Sequence, residues 1–369
     1  MDDHDLKTSS STQGSIPDNR PIASGIHLTF RNRHGSVQHY YHFLFACIVP
    51  LVRIWNSITI SLSGRDVSVR SCAIMDELLY QLRLPRLVIM DPAAHTAIYD
   101  RRAESANIER PLFITLEGYD DPVRYNAEVF TSVRDQLLFR FIDEIQSETQ
   151  EINRLFTGTG PRVVIIRRLS AAKFYSEAEC EIKTAGSERR SVANMDEVCS
   201  VALRYSENVL VAALEGRSLY YQMALFAAAD IVIGQHGAAL GNLLWARNGI
   251  KLIEIIPKEL KDRVRECDYF GDLARCLSVR HYRLWQELPH GPVDTGMLAN
   301  ILRMITANSP ASRSSLEVLS GLPKDSSISR SRTAKRSLWV TWRKLRHLAT
   351  RAWRKLRHLA ARASSLLMP

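Results

Sequence analysis

The chain has 369 residues, 46% of them hydrophobic, and a formal net charge of +10. That much apolar material supports two ordinary domains with cores of their own and excludes an intrinsically disordered protein. Twelve of the 49 Lys and Arg lie after Asp325, where no Asp or Glu occurs. The basicity therefore belongs to a C-terminal tail, and the rest of the chain is close to neutral.

Residues 1–22 are polar and aperiodic and read as a disordered arm. Their acidic start is the opposite of a signal peptide, and no apolar run reaches the length of a membrane span, so the expected residence is the cytoplasm. The six cysteines, Cys47, Cys72, Cys180, Cys199, Cys267 and Cys276, contain no CxxC pair and are expected as thiols in a reducing compartment. Ile26–Phe30 predicts a strand. Val37–Trp55 fits a helix as far as Pro50, with His39 and His42 at i and i+3. That spacing suits a metal ion, but a third ligand is lacking, and histidines packed among aromatics are the preferred reading. Arg86–Met90 and Leu112–Leu116 predict strands, ending in Asp91-Pro92 and in the acidic loop Glu117–Asp121. Asp135–Phe156 places Leu138, Phe141, Ile142, Ile145, Ile152 and Phe156 on one stripe and predicts one long amphipathic helix. Thr157-Gly158-Thr159-Gly160-Pro161 then marks a hinge.

The second half is more regular. Arg162–Arg168 predicts a strand finishing in two arginines, and residues 169–190 are a polar excursion. Asn194 with Glu197 resembles a capping box that opens a helix to about Tyr205. Val209–Ala213 predicts a strand, and Ser218 starts a helix to Ala229. Then comes the most informative stretch, Ala229–Pro257: a buried strand at Ile231–Gly234, a turn through Gln235, His236 and Gly237, a short buried helix at Ala238–Ala246, and a second strand at Ile250–Ile256 carrying Glu254. Strands alternating with helices imply a parallel sheet whose ligands bind beyond the carboxyl ends of its strands. A strand, a glycine-containing turn and a helix start make an anion site, because unpaired N–H groups face the loop. A strand near Val279–Tyr282 and a helix at Asp294–Thr306 follow.

Residues 308–335 are Ser- and Arg-rich and read as a linker. Beyond it WRKLRHLA occurs at Trp342–Ala349 and again at Trp353–Ala360. The period of eleven is close to three helical turns. Leu338, Trp342, Leu345, Ala349, Ala352, Leu356, Ala360 and Ala363 share one face, and Lys and Arg cover the other. Residues 336–369 are thus expected to form a basic amphipathic helix at a membrane surface. Docking on its own protein and nucleic-acid binding are the competing readings, with membrane preferred.

At these residues the chain resembles the catalytic domain of glycosyltransferase family 61, found in capsular and surface polysaccharide enzymes and in eukaryotic xylosyl- and N-acetylglucosaminyltransferases. The resemblance rests on Gly234-Gln235-His236-Gly237-Ala238-Ala239-Leu240-Gly241-Asn242, on Glu254-Ile255-Ile256-Pro257, on Gln222 in the preceding helix, on Arg167-Arg168, and on His42 within YYHFLF. Ala46 stands where an acidic residue is common, and Ser176-Glu177 where Asn-Glu is common. The resemblance implies an α/β, GT-B-like enzyme with two Rossmann-like halves facing a cleft. The N-terminal half is assigned to residues 23–157 on the acceptor side, and the C-terminal half to 158–307 with the nucleotide-sugar. It further implies inverting transfer from a nucleotide-sugar, a UDP-sugar first and with no other cofactor, to a surface or capsular glycan; the basic tail puts that work at the inner membrane face, and the lack of a clear D-x-D on a strand end fits handling of the diphosphate with no metal strictly required.

Inverting transfer needs a base for the acceptor hydroxyl and charge stabilisation for the departing diphosphate. Arg167 or Arg168 supplies a guanidinium, only one of them reaching the donor because adjacent strand residues face opposite ways. The amides of Gly237, Ala238 and Ala239 supply the helix end. His236 is read as a phosphate or sugar contact, Asn242 as a loop or ligand contact, Glu254 as an acceptor of ribose hydroxyls, and Gln235 and Gln222 as further donor-site residues. The base is expected at His42, with Asp91, Asp120 and Asp121 as rivals. The alternative is a non-catalytic member of the family, a binding or scaffold protein held at the membrane by its tail.

Overall fold

The computed structural model describes residues 26–31, 39–61, 66–70, 73–90, 112–170 and 186–307. Asp91, the Ser176-Glu177 pair, Cys72, Cys180, the N-terminal arm, the linker and the basic tail lie outside them.

Short runs of Val, Ile and Leu, too brief for helices, form nine strands among the described residues, all in parallel ladders. The first sheet holds β1 (Ile26–Arg31), β2 (Val67–Arg70), β3 (Leu87–Met90) and β4 (Leu112–Glu117) in the order β3-β2-β1-β4. The second holds β5 (Val163–Ile166), β6 (Val209–Ala212), β7 (Ile231–Gln235), β8 (Lys251–Pro257) and β9 (Arg280–Gln286) in the order β6-β5-β7-β8-β9. In each sheet the chain builds outward in one direction and then crosses back. The reversal falls between β1 and β4 in the first sheet and between β5 and β7 in the second. At such a point the connections leave on opposite sides and open a crevice beyond the carboxyl ends.

The second sheet is buried on both faces, and the period of two sorts its side chains. Val164, Ile166, Val232 and Leu252 join the large core shared with the N-terminal half. Val163, Ile165, Ile231, Ile233, Ile253 and Ile255 face a separate core with helices Met195–Leu203 and Thr295–Ala307. Glu254 and Gly234, even steps from Leu252 and Val232, are therefore on the face turned toward the N-terminal half.

The sequence reading did not anticipate β2 or the helix Ala73–Gln81, and three elements that it did anticipate differ. The helix after β1 does not end at Pro50. It runs as Tyr40–Phe43, widens into a π-helical segment at Leu44–Ile48, and continues as Val49–Ser61. Because Val49 N–H reaches back five residues to Leu44, the proline follows a turn whose carbonyls are already displaced from the α-helical ladder, and its ring is accommodated. The Phe45 carbonyl accepts instead from Tyr119 N–H at 2.8 Å, tying this helix to the loop after β4. The long amphipathic helix is two helices, Ala127–Arg140 and Ile142–Leu155, with a break at Phe141 (φ −112°, ψ 31°). Phe141 is buried with its ring 5.1 Å from that of Tyr220, and the change of direction leaves Ile142 partly exposed rather than on the stripe. Finally, Asn194 does not cap its helix with a side-chain bond to the backbone. Its amide donates to the Glu197 carboxylate and its oxygen accepts from Val293 N–H.

Between β7 and β8 the short helix is a 3-10 helix, Ala238–Trp245. It packs on the helix after β1 so closely that a Cβ on Gly241 would stand 3.4 Å from the Tyr41 ring. Gln81 fastens the halves again, accepting Leu219 N–H at 2.7 Å. Cys47, Cys199, Cys267 and Cys276 are thiols. No helix of the described residues is long and apolar enough to cross a membrane.

Candidate functional site

The turn after β7 is held from three sides. His236 N–H donates to the Ile255 carbonyl at 2.8 Å, so the turn stays registered on β8. The His236 carbonyl accepts from Arg168 at 2.6 Å and from Arg190 at 3.1 Å. Gly237 is a glycine because any Cβ there would collide with the Arg168 guanidinium. Leu240 N–H then bonds the Gly237 carbonyl and the 3-10 helix begins, leaving the first amides without partners inside it.

Beyond this turn lies a cleft of about 450 Å³. His39, Tyr40 and Leu78 of the N-terminal half wall one side; Arg168, Arg189, Arg190, Arg217 and the Gly237–Ala239 backbone wall the other. Burial first, and then the neighbouring Arg190 and Arg189, bring the Arg168 pKa down to about 10. Arg190 is lowered to about 10 for the same reasons, burial foremost and Arg189 next. Both remain cations at neutral pH, crowded together at the point of strand reversal. An anion in the cleft relieves that repulsion.

Arg167 and Arg168 separate as strand alternation requires. Arg167 is exposed and lines a second pocket of about 370 Å³, although Arg168 and Gln235 border that pocket too. Gln235 is buried, its amide donating to the Gln286 side chain and to the Ser191 and Pro289 carbonyls, so it fastens the outer layer of the sheet. Asn242 is a fastener too. Fully buried, it accepts from Tyr40 Oη at 2.6 Å and from Trp245 Nε1 at 3.0 Å, and donates to Gln222 Oε1 at 2.9 Å. Gln222 and Tyr40 reach the cleft wall from this network.

Two histidine–carboxylate pairs have histidines close in the chain to residues that wall the cleft. His236 Nδ1 lies 2.7 Å from Glu254 Oε1, and the other Glu254 oxygen lies 2.8 Å from His281 Nε2. Burial works to raise the Glu254 pKa, but the hydrogen bonds from the two histidines outweigh it and hold the carboxyl below its ordinary value. With both oxygens committed and the side chain 1% exposed, Glu254 is not disposed to accept ribose hydroxyls. Its role as read from the sequence is corrected: it orients histidines. His42 Nδ1 lies 2.9 Å from Asp120 Oδ2, so Asp120 is the partner of His42 rather than its rival. Asp121 caps the following turn at Val123 N–H. Ala46 is fully buried, and a Cβ on Gly118 would stand 2.9 Å from its Cα. A carboxylate at that position would have neither room nor water.

Neither His42 nor His236 is among the residues walling the 450 Å³ cleft; His39 is. The two histidines approach through aromatic rings. His236 packs edge-on against Phe270, Phe270 against Tyr41, and Tyr41 against His42, at centroid distances of 5.1, 5.6 and 5.1 Å. His39, Arg189, Arg190, Arg217 and His281 were not singled out from the sequence as site residues. The Arg189-Arg190 pair sat in plain view within the polar excursion, but nothing in its spacing distinguished it from surface charge. Among the described residues no group of three or more His, Cys, Asp or Glu is arranged to hold a metal ion.

The sequence profile of glycosyltransferase 61 matches residues 40–253, more than half of the chain. No curated protein matches the chain.

Burial, followed by the charges of Arg189, His42 and Arg168, lowers the His39 pKa from 6.5 to about 4. Between those values the unfolded chain binds more protons than the folded one, so stability rises with pH across this window and is lost as pH falls. Urea unfolding between pH 4 and pH 7 will show a shallower pH slope in His39→Gln than in the wild type. An unchanged slope contradicts the assignment.

Proposed function

The chain belongs to glycosyltransferase family 61, and from that premise we propose that it is an inverting glycosyltransferase. It takes a nucleotide-sugar, a UDP-sugar first, as donor and a glycan or lipid-linked glycan as acceptor. The observation that carries this reading is the cleft at the β5/β7 reversal, where the Arg168 and Arg190 guanidinium groups and the Gly237–Ala239 backbone form one wall. The two sheets form GT-B-like halves, the acceptor entering from the N-terminal side.

In this reading the acceptor hydroxyl attacks C1 of the sugar opposite the diphosphate. The C1–O bond to phosphate breaks, the new glycosidic bond forms with inversion, and the hydroxyl proton passes to a base. Guanidinium groups and helix-start amides meet the charge that builds on the leaving diphosphate. In this reading that charge stands in for a divalent ion. The base is His42. With its Nδ1–H donated to Asp120, its Nε2 carries the lone pair. His39, closer to the cleft, is too weak a base near neutral pH, with its proton leaving at about pH 4; it serves as a neutral contact. His236, oriented by Glu254, contacts phosphate or sugar through Nε2.

A panel of UDP-, GDP- and CMP-sugars, assayed for transfer or hydrolysis, tests this. Wild-type protein turns over at least one of them, and Arg168→Ala and His42→Ala each lower kcat by roughly 100-fold or more. If the wild type neither binds nor consumes any of them, the non-catalytic scaffold reading takes its place.

We read the basic repeat at 336–369 as an anchor to an anionic membrane surface, which would bring the enzyme to lipid-linked acceptors. Full-length protein will sediment with vesicles containing phosphatidylglycerol at physiological salt, and a chain truncated after residue 335 will not. Equal sedimentation of the two refutes the anchor.

A further inference from the structure

Glu254 sits in mid-strand on β8, where six of the seven residues are buried. A carboxylate there has no water to stabilise its charge, so the charge depends on the hydrogen-bond donors that reach it. Those donors come from two neighbouring strands. His236, two residues past Gly234, emerges on the same face at the end of β7. His281 on β9 stands in register with Leu252, two residues before Glu254 and on the same face. Gly234 is Glu254's register partner on β7, and a Cβ there would press on Leu240 at 2.9 Å.

We propose that His281 is a positioning residue for His236, acting through Glu254. This rests on the reading of His236 as a donor-site contact, and His281 lies beyond residues 40–253, which the family profile matches. One carboxylate oxygen takes the Nδ1–H of His236 and the other takes the Nε2–H of His281. Held this way, neutral His236 presents Nε2 as a lone pair. Without His281, the second oxygen loses its donor where no water replaces it. The carboxylate then either concentrates its charge on His236, favouring the imidazolium, or takes up a proton and donates it, turning His236 to the Nε2–H tautomer. Both outcomes change the atom His236 offers to the substrate. The other groups facing His236 do not offset the change. Arg168 and Arg190 are occupied with its carbonyl, and Phe270, against its ring, is uncharged.

The test uses the full chain labelled with ¹⁵N-histidine, read by long-range proton–nitrogen correlation, with His236 assigned by its own substitution. In the wild type the His236 ring shows the Nδ1–H pattern. In His281→Leu and His281→Asn it departs from that pattern, because neither side chain can donate to Glu254 from the Nε2 position. In His281→Gln, whose amide nitrogen can stand near that position, the pattern returns. With the nucleotide-sugar that the wild type turns over fastest, kcat falls roughly ten-fold in the Leu and Asn variants, with KM nearly unchanged, and recovers in the Gln variant. Unchanged His236 nitrogens in Leu and Asn, or a Gln variant no better than Asn, overturn the proposal. Should the Leu variant fail to fold, the Gln and Asn pair decides. The spectroscopic readout needs no donor. A wild type that consumes no nucleotide-sugar refutes the transferase reading and leaves this test standing.

Discussion

The structure depends on one topological constraint, the reversal of strand order between β5 and β7. Two adjacent parallel strands whose connections leave on opposite sides cannot have their carboxyl ends covered by the same helix. The backbone beyond them must therefore find other partners or stay open. Here the His236 carbonyl finds two guanidinium groups, and the amides that follow are left at the start of a 3-10 helix. Cations beside the amides of a helix start are the chemistry that the proposed diphosphate would need. That arrangement follows from how the sheet is wound.

The N-terminal half answers this arrangement at its own reversal. The helix after β1 and the loop after β4 meet where the π-helical turn gives up the Phe45 carbonyl to Tyr119, and that bond places Asp120 beneath His42. The halves are then joined by buried polar groups as well as by apolar packing. Tyr40 from one side and Gln222, Asn242 and Trp245 from the other hydrogen-bond together, and the Ala239 and Arg217 carbonyls take the remaining amide donors, a condition under which a buried network fixes one relative placement of its elements. Asn242, read from the sequence as a loop or a ligand contact, makes the hydrogen bonds of the loop reading, and the Gln235 amide binds the chain beside it.

The central strands of the second sheet were legible because a strand buried on both faces demands an apolar run, which Val163–Ile166, Ile231–Ile233 and, but for Glu254, Leu252–Ile256 supply; the four residues of β2, alternating Val with Ser and Arg, gave no such run. The turn at His236 was legible because glycine and small residues between two such runs leave few alternatives. What was not legible depends on contacts between distant residues. The break at Phe141 follows from its seat against Tyr220, which the period of the stripe does not encode. The continuation through Pro50 follows from a widened turn that no local preference announces. Glu254 looked like a ribose ligand because it is the one carboxylate on the strand after the turn; only its distances to His236 and His281 show that both oxygens are taken. The arginines at 189 and 190 were hidden for the same reason, since charge in a polar stretch acquires meaning from what it faces.

The account stands most directly on where a diphosphate comes to rest. A crystal structure of the full chain soaked with UDP answers that question. The prediction is density for both phosphates within hydrogen-bond reach of Arg168 and the backbone amides of Gly237–Ala239, between the halves. Density for the nucleotide elsewhere, with Arg168 and that turn unoccupied at saturating UDP, would contradict it.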